Sequence, residues 1–582
     1  MQVFLNQRKL LLVSGRMLSV VLLATALVSS AEQVFAQNIS TNKQTPARPL
    51  QSRWEADPNT GVLWGVPFGR GPRHIDLAAI RSEDMEQSVT TLQQIVLDAK
   101  FGFQNRSEAF EAVLERLDEW MKSQVPRPAR LAALSAAATL IESVDEAESV
   151  WSRVDSNSML SRAAEPTLSK WKSKVALQRW RERLKNNNGD LKDQLTAIDG
   201  VAAAGDTTDE DLLKNILLGD GTPVPMRLAS ARALGTVVAE GLESTAANIR
   251  KTLDVGDLLA AHILATHRSP SSISIAESIL KGKSQPARLV AFRIIAAANS
   301  ERGLALAEEL IEDPQAELRQ AALGILQRSD SIKHVNRQAI AMSDPNPSIR
   351  EQARLQLEEK SRNSRLRETV DEIVSHHLSS DRWEGIEQAI RLGLSLKDSS
   401  RVESLLQFLD HPQPEVRLWA SWSMQELEQT PESLDAILKY CQTFTERIRR
   451  QDPLTLPQVL ATSFLFEALG VNHYKPASGM LEIYVPKNDQ KMRTITRTSA
   501  IYALGLIWEQ EKNVKLAAAL VKRVTDDGIN PEEDTVRYAS AVSVGRIGTV
   551  DMIKDFAEVV GEPTEIGVAA EWAAENLKET AK

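Results

Sequence analysis

Three consecutive stretches, ARLVAFRIIAAA from Ala287, ELRQAALGILQRS from Glu317 and SIREQARLQLEE from Ser348, decide the fold. Their leading arginines are Arg288, Arg319 and Arg350, so both intervals are 31 residues, and apolar residues follow each arginine at helical steps. That spacing puts the apolar side chains on one helix face. A fixed period of this size marks an array of helical hairpins, in which each unit buries its apolar face only against its neighbours. Asp313-Pro314 and Asp344-Pro345 stand before two of the arginines. Proline fixes its own φ and has no amide donor, which suits a turn or a helix start, so each dipeptide marks the beginning of a unit.

The register extends in both directions. Arg227 opens RLASARALG two periods before Arg288, and Arg130 opens RLAALSAAATL three further periods back. Beyond Glu358 the charged stretch EEKSRNSRLRE reads as a loosening of the array, which resumes with Arg382, Arg417, Val459, Arg497 and Arg537; the last two intervals are 38 and 40 residues. The expected organisation is a targeting segment over 1–36, an extended Pro/Gly/aromatic arm over 37–79 and a degenerate helical region over 80–190. Short repeats then fill 191–362, and longer repeats with a terminal cap fill 363–582. With 42% apolar residues, 5% aromatic residues and helix-favouring Ala, Leu, Glu and Arg in the periodic segments, the chain reads as all-α. The formal charge of −9 is modest and mixed in sign, which disfavours a general nucleic-acid-binding role.

Arg8, Lys9 and Arg16 precede the apolar run Met17 to Val28, and Val34-Phe35-Ala36 offers small residues where a signal peptidase cuts. The expectation is export, periplasmic or extracellular, with cleavage before Gln37; retention as an anchor is the alternative. Cys441 is the only cysteine, so an internal disulfide and a cysteine zinc cluster are both excluded, and its apolar flanks suggest a buried thiol.

Two stretches are candidates for partner contact. The arm carries Trp54, Trp64 and Phe68 among glycines and prolines, and serves either as an end cap of the array or as a contact for a partner. KWKSKVALQRWRERLK, Lys170 to Lys185, has seven basic residues against Glu182 and includes Lys170, Trp171, Lys174, Arg179 and Arg181. It reads either as a solvated outer helix with its tryptophans facing the core, or as a peripheral contact with an anionic membrane or acidic partner. The histidine pairs His262/His267 and His376/His377 lack the spacing of two ligands on one helix face. HExxH, GxSxG and P-loop motifs are absent, and no cofactor or metal site is expected.

Asp220…Arg227-Leu-Ala-Ser-Ala-Arg-Ala-Leu-Gly, Asp313-Pro314…Leu318-Arg319-Gln320-Ala321-Ala322-Leu323-Gly324 and Asp410…Pro414-Glu415-Val416-Arg417 resemble HEAT repeats, in particular the short HEAT-like repeats of phycobilisome (bilin) lyases. The resemblance covers roughly residues 125 to 580. It implies a right-handed α-solenoid of stacked helical hairpins, with Asp and Arg side chains interacting between neighbouring repeats. Asp220/Arg227, Asp313/Arg319, Asp344/Arg350 and Asp410/Arg417 would form that structural ladder, together with Arg288, Arg497 and Arg537. Two function classes follow. One is an exported non-enzymatic scaffold that binds a protein or peptide along the row of second-helix side chains; the other is an enzyme or enzyme accessory related to the bilin lyases. Partner identity and oligomeric state are not encoded in any motif.

The 31-residue register predicts unequal costs for two arginines. Arg319→Ala should destabilise the array by a few kcal/mol, because a ladder partner is left buried, whereas Arg362→Ala in the charged stretch should cost almost nothing. Chemical denaturation midpoints of the two variants test this, and equal midpoints would refute it.

Overall fold

The computed structural model describes residues 74–582, except 100–101, 124, 156–157, 188, 254, 488–491, 510, 563 and 582, together with two short strands upstream. The 1–36 segment, the arm's residues 37–53 and Phe68 lie outside the described residues. The chain forms two compact units, one of Phe68–Arg328 and one whose helices run from Ser329 to Lys582. Both are all-α solenoids built from helical hairpins, and the division falls inside the run of 31-residue repeats.

In each unit one row of helices packs closely, each against the next. In the first unit these are α1 (Met85–Asp98), α2 (Arg127–Leu140), α3 (Ser158–Lys170), α4 (Leu191–Ala204), α5 (Val224–Val237), α6 (Gly256–Ile263), α7 (Gln285–Ala298) and α8 (Ala316–Leu326). In the second they are α9 (Pro347–Lys360), α10 (Trp383–Ser395), α11 (Pro414–Glu426), α12 (Leu456–Val471), α13 (Thr494–Ile507), α14 (Asp534–Ile547) and α15 (Glu565–Glu579). These rows carry the ladder arginines. The other helix of each hairpin packs mainly on its own partner, and such helices vary in the second unit from Val402–Leu405 to Pro431–Arg450.

Glycine near the end of the row helices explains the close approach. A Cβ on Gly235 would sit 2.0 Å from the His262 carbonyl oxygen, one on Gly470 2.6 Å from Ala503 Cα, and one on Gly545 2.8 Å from Ala573 Cα. On Gly505 it would meet Ser543 Oγ at 2.4 Å. Gly235, Gly505 and Gly545 each follow their helix's ladder arginine by eight residues. Glycine inside a helix costs up to about 1 kcal/mol against alanine, so its repetition here reflects packing between backbones. Proline at the first or second position starts α2, α5, α7, α9, α11 and α12, where its missing donor costs no helical hydrogen bond.

Two expectations are corrected. The stretch after Glu358 does not loosen the array. It forms a three-residue turn between α9 and the helix Ser364–Leu378, because Asn363 caps that helix by accepting the Arg365 amide hydrogen. The arm is not a single extended segment either. Trp54–Ala56 (β1) pairs antiparallel with Leu63–Gly65 (β2), Trp54 opposite Gly65 and Glu55 opposite Trp64, and Asp76 caps a short helix over Leu77–Ile80. Asp57-Pro58-Asn59-Thr60-Gly61 between two aromatic-containing runs is a hairpin signal that the Pro/Gly reading had absorbed into a loop.

Gly470→Ala should therefore destabilise the protein by about 1–3 kcal/mol, since a methyl group must force two backbones apart. Gly479→Ala, at an exposed helical position where the added Cβ meets nothing within 4 Å, should be neutral or stabilising by up to about 1 kcal/mol. Urea midpoints of the pair decide whether helix contact, rather than glycine flexibility, sets the requirement.

Candidate interaction surface

The ladder arginines act on carbonyls. Arg319 Nη1 donates to the carbonyl oxygens of Asp313 at 2.8 Å and Pro314 at 3.0 Å; Arg350 Nη1 does the same to Asp344 at 2.9 Å and Pro345 at 3.2 Å. Arg417 reaches the His411 and Pro412 carbonyls from the same two offsets. Arg227 bonds the Thr222 and Gly219 carbonyls, Arg288 that of Leu280, Arg497 those of Tyr484 and Val485, and Arg537 that of Val524. Helix ends and turns leave carbonyls without partners, and a buried end needs a donor from a side chain.

Within a repeat, these arginines bond the main chain of the turn that carries the aspartate. Arg319 and Arg350 bond the main-chain oxygens of Asp313 and Asp344, while those carboxylates accept the amides of Gln315 and Asn346. Among the described residues no ion pair joins Arg227 to Asp220 or Arg417 to Asp410; a carboxylate in the same turn is less well placed than the turn's own carbonyls. Carboxylates do pair across repeats. Arg288 reaches Asp313 at 2.5 Å, and Arg497 forms a buried two-pronged pair with Glu532 at 2.7 Å on both prongs.

The second unit's close-packed row carries a buried polar seam that the sequence reading missed. Arg354 pairs with Glu358 at 3.2 Å, Arg391 with Glu387 at 3.2 Å and Glu351 at 3.4 Å, and Arg350 lies 3.9 Å from Glu387. Three arginines face three glutamates, so the cluster is neutral. Burial, with Arg391 nearby, lowers the Arg354 pKa to about 10, which leaves it charged at neutral pH. Further along, buried Glu467 accepts from Gln425 Nε2 and Ser499 Oγ, both at 2.8 Å. A single glutamate inside the otherwise apolar SFLFEALG was the available signal.

Beside this seam runs a chain of rings. The Arg391 guanidinium sits 4.7 Å from the Trp419 ring, Trp419 lies 6.4 Å from Trp422, and Trp422 meets Phe464 edge-on at 5.1 Å. Leu418 and Trp422 are four residues apart on α11, while Leu456, Leu460 and Phe464 occupy successive four-residue steps on α12, so the five form one apolar stripe across two packed helices. Leu456 is 38% exposed and Leu418, Trp422 and Leu460 are half-buried. By contrast, residues 461–470 of α12, Phe464 included, are buried throughout, so on this helix the stripe is open only at its start, at Leu456 and Leu460. The stripe lies on the row of the arginine-bearing helices.

The basic stretch is largely tied into the fold. Arg179 pairs with Asp155 and stacks on Trp151, Arg181 pairs with Asp206 and Asp209, and Arg183 forms a buried pair with Glu165. Trp180 and Leu184 are buried. The guanidinium groups of Arg179 and Arg181 are thus each matched by carboxylates of the fold, Arg179 in a half-exposed pair. Lys170 and Lys174 are exposed and Trp171 is half-buried. Cys441 is fully buried, and burial pushes its thiol pKa up. Among the described residues no group of three His, Cys, Asp or Glu is placed to hold a metal ion, and no helix is long and apolar enough to cross a membrane.

No family model and no curated protein matches the chain. Solved structures that resemble it include Kap95p from a study of its binding to RanGDP, 14% identical with a TM-score of 0.47, over 86% of this chain and 71% of that one. Importin beta in an ammonium sulfate condition is 13% identical with a TM-score of 0.43, over 86% and 72%. Kap121p is 11% identical with a TM-score of 0.42, over 86% and 56%. Likeness at this level carries no statement about what the chain binds.

His377 gives the second unit a pH dependence with a definite sign. Its Nε2 donates to the Ala339 carbonyl at 3.0 Å, and burial, with His376 and Arg382 nearby, lowers its pKa from the ordinary 6.5 to about 4. Between those values the unfolded chain binds the proton and the fold does not, so stability falls as pH drops from 6.5 to 4. His377→Gln should flatten that slope in urea denaturation, leaving the part due to His262, also lowered to about 4. An unchanged slope would contradict the assignment.

Proposed function

We propose that the chain is an exported, non-enzymatic scaffold that seats an apolar segment of a protein partner on Leu418, Trp422, Leu456 and Leu460, with buried Phe464 behind Trp422. One observation carries the reading: two packed helices leave a half-buried tryptophan, edge-on to a phenylalanine, at the end of an apolar stripe. Tryptophan in such a setting is a frequent energetic centre of protein interfaces. A small-molecule site would call for an enclosed and mostly apolar cavity. One shallow depression of this unit, about 620 Å³, is open and lined by charged and polar side chains: Ser364, Arg367, Glu368, Asp371, Glu372, Ser375 and Arg401.

Export rests on the charged and apolar pattern of residues 1–36, and N-terminal sequencing of the protein from its native cell should find Gln37 first. The arm from Trp54 to Phe68 would either cover the stripe or extend it to the partner. Deleting Gln51 to Pro72 separates these roles: a cap lowers the melting temperature, whereas a contact lowers capture of the partner.

A photo-crosslinking side chain at Leu456 or Leu460 should give one discrete adduct in native envelope extract. The same group at exposed Lys439, on the helix Pro431–Arg450, should give none. Trp422→Ala should weaken the adduct-forming complex by about 2 kcal/mol, roughly thirtyfold in affinity. Equal adducts at Lys439, or no loss with Trp422→Ala, would overturn the reading.

A further inference from the structure

The turn between α3 and the helix Leu177–Lys185 holds three of the basic residues that the fold leaves in solvent. Lys170, Lys172 and Lys174 are exposed, Val175 is 47% exposed between them and the following helix, and Trp171 is half-buried with the Lys170 ammonium 5.7 Å from its ring. The turn has a defined shape. Lys172 adopts φ +56°, its amide donates to the Ser169 carbonyl, and the Ser173 amide donates to the Leu168 carbonyl. Buried Ser173 donates its hydroxyl to Glu148 at 2.5 Å and accepts the Val175 amide. The three lysines and the valine are thus displayed on a fixed bend.

We infer that this turn is a contact for an anionic lipid surface, with Lys170, Lys172 and Lys174 meeting headgroup phosphates and Val175 and Trp171 entering the interface. The division of labour between the two cation types favours lipid over an acidic polypeptide. Arginine's planar fork suits directional recognition of carboxylates, and the arginines of this stretch, Arg179, Arg181 and Arg183, are spent on Asp155, Asp206, Asp209 and Glu165 within the fold. What faces outward are lysines, compact charges without a preferred geometry, which suit a fluid layer of phosphates. An exposed aliphatic side chain and an indole beside them match the composition of interfacial anchors. The chain's overall charge of −9 works against approach to such a surface, so attachment depends on this local patch.

The test uses the full mature chain and vesicles of phosphatidylglycerol mixed with phosphatidylcholine, with pure phosphatidylcholine as the control. The chain should co-sediment with the anionic vesicles alone, and raising salt to about 1 M, where screening acts within about 3 Å, should release it. Each Lys→Gln change at 170, 172 or 174 should lower partitioning about fivefold, and the triple variant about a hundredfold. Val175→Asp should also lower partitioning without altering lysine charge. Arg181→Gln serves as a folding control, since it breaks an internal pair and leaves the lysines in place. The inference fails if the triple variant binds vesicles as well as the parent, if binding ignores headgroup charge, or if poly-glutamate binds the turn while anionic vesicles do not.

Discussion

A guanidinium that satisfies main-chain carbonyls is the interaction on which the stack depends. Where one helix ends and the next begins, the turn is covered by the neighbouring repeat, so its carbonyl oxygens lose access to water. Arg319, Arg350 and Arg417 each solve this from a position five and six residues beyond the oxygens they bond. The planar five-donor group can bond main-chain carbonyls and still face a carboxylate in the next repeat: Arg497 bonds the Tyr484 and Val485 carbonyls and Glu532, and Arg288 the Leu280 carbonyl and Asp313. A lysine, with its single nitrogen, lacks that reach. The same residue therefore closes its own hairpin and joins it to the following one.

The all-α repeat architecture was legible from Arg288, Arg319 and Arg350, because the physical demand that places those residues is local and recurs at a fixed interval. The chemistry they perform was less legible: an aspartate six residues upstream is visible in sequence, but the carbonyl of that same residue is not. The Arg354, Arg391 and Glu387 cluster was missed for a related reason. Its members lie on neighbouring helices about 40 residues apart, and nothing along one helix distinguishes a glutamate that faces solvent from one that faces a neighbour's guanidinium. The stripe of Leu418, Trp422, Leu456, Leu460 and Phe464 reads in sequence as ordinary core, since only the packing of α11 on α12 shows that one end of it stays open.

Charge is distributed by burial in both units. Arg183 with Glu165 in the first unit forms a buried neutral pair, and in the second unit the buried Arg350, Arg354 and Arg391 are matched by buried Glu387 and by half-buried Glu351 and Glu358. Removing one member would leave an uncompensated charge, which makes such ensembles specific in register more than stabilising in total. Their neutrality also means that a strongly basic stretch of sequence can be nearly silent at the surface. Lys170, Lys172, Lys174 and Lys185 are the exposed remainder of that stretch once the internal pairs have been formed.

The unequal freedom of the two helix rows has a bearing on how such a chain tolerates change. Glycine-mediated contact fixes the separation of the arginine-bearing helices, while their partners range from four to twenty residues in the second unit. Inserted or deleted residues can therefore be absorbed on the loosely packed side, leaving the other side's spacing intact. The repeat interval drifts from 31 to 40 residues for that reason, and the chain can diverge in length far faster than in the geometry that holds it together.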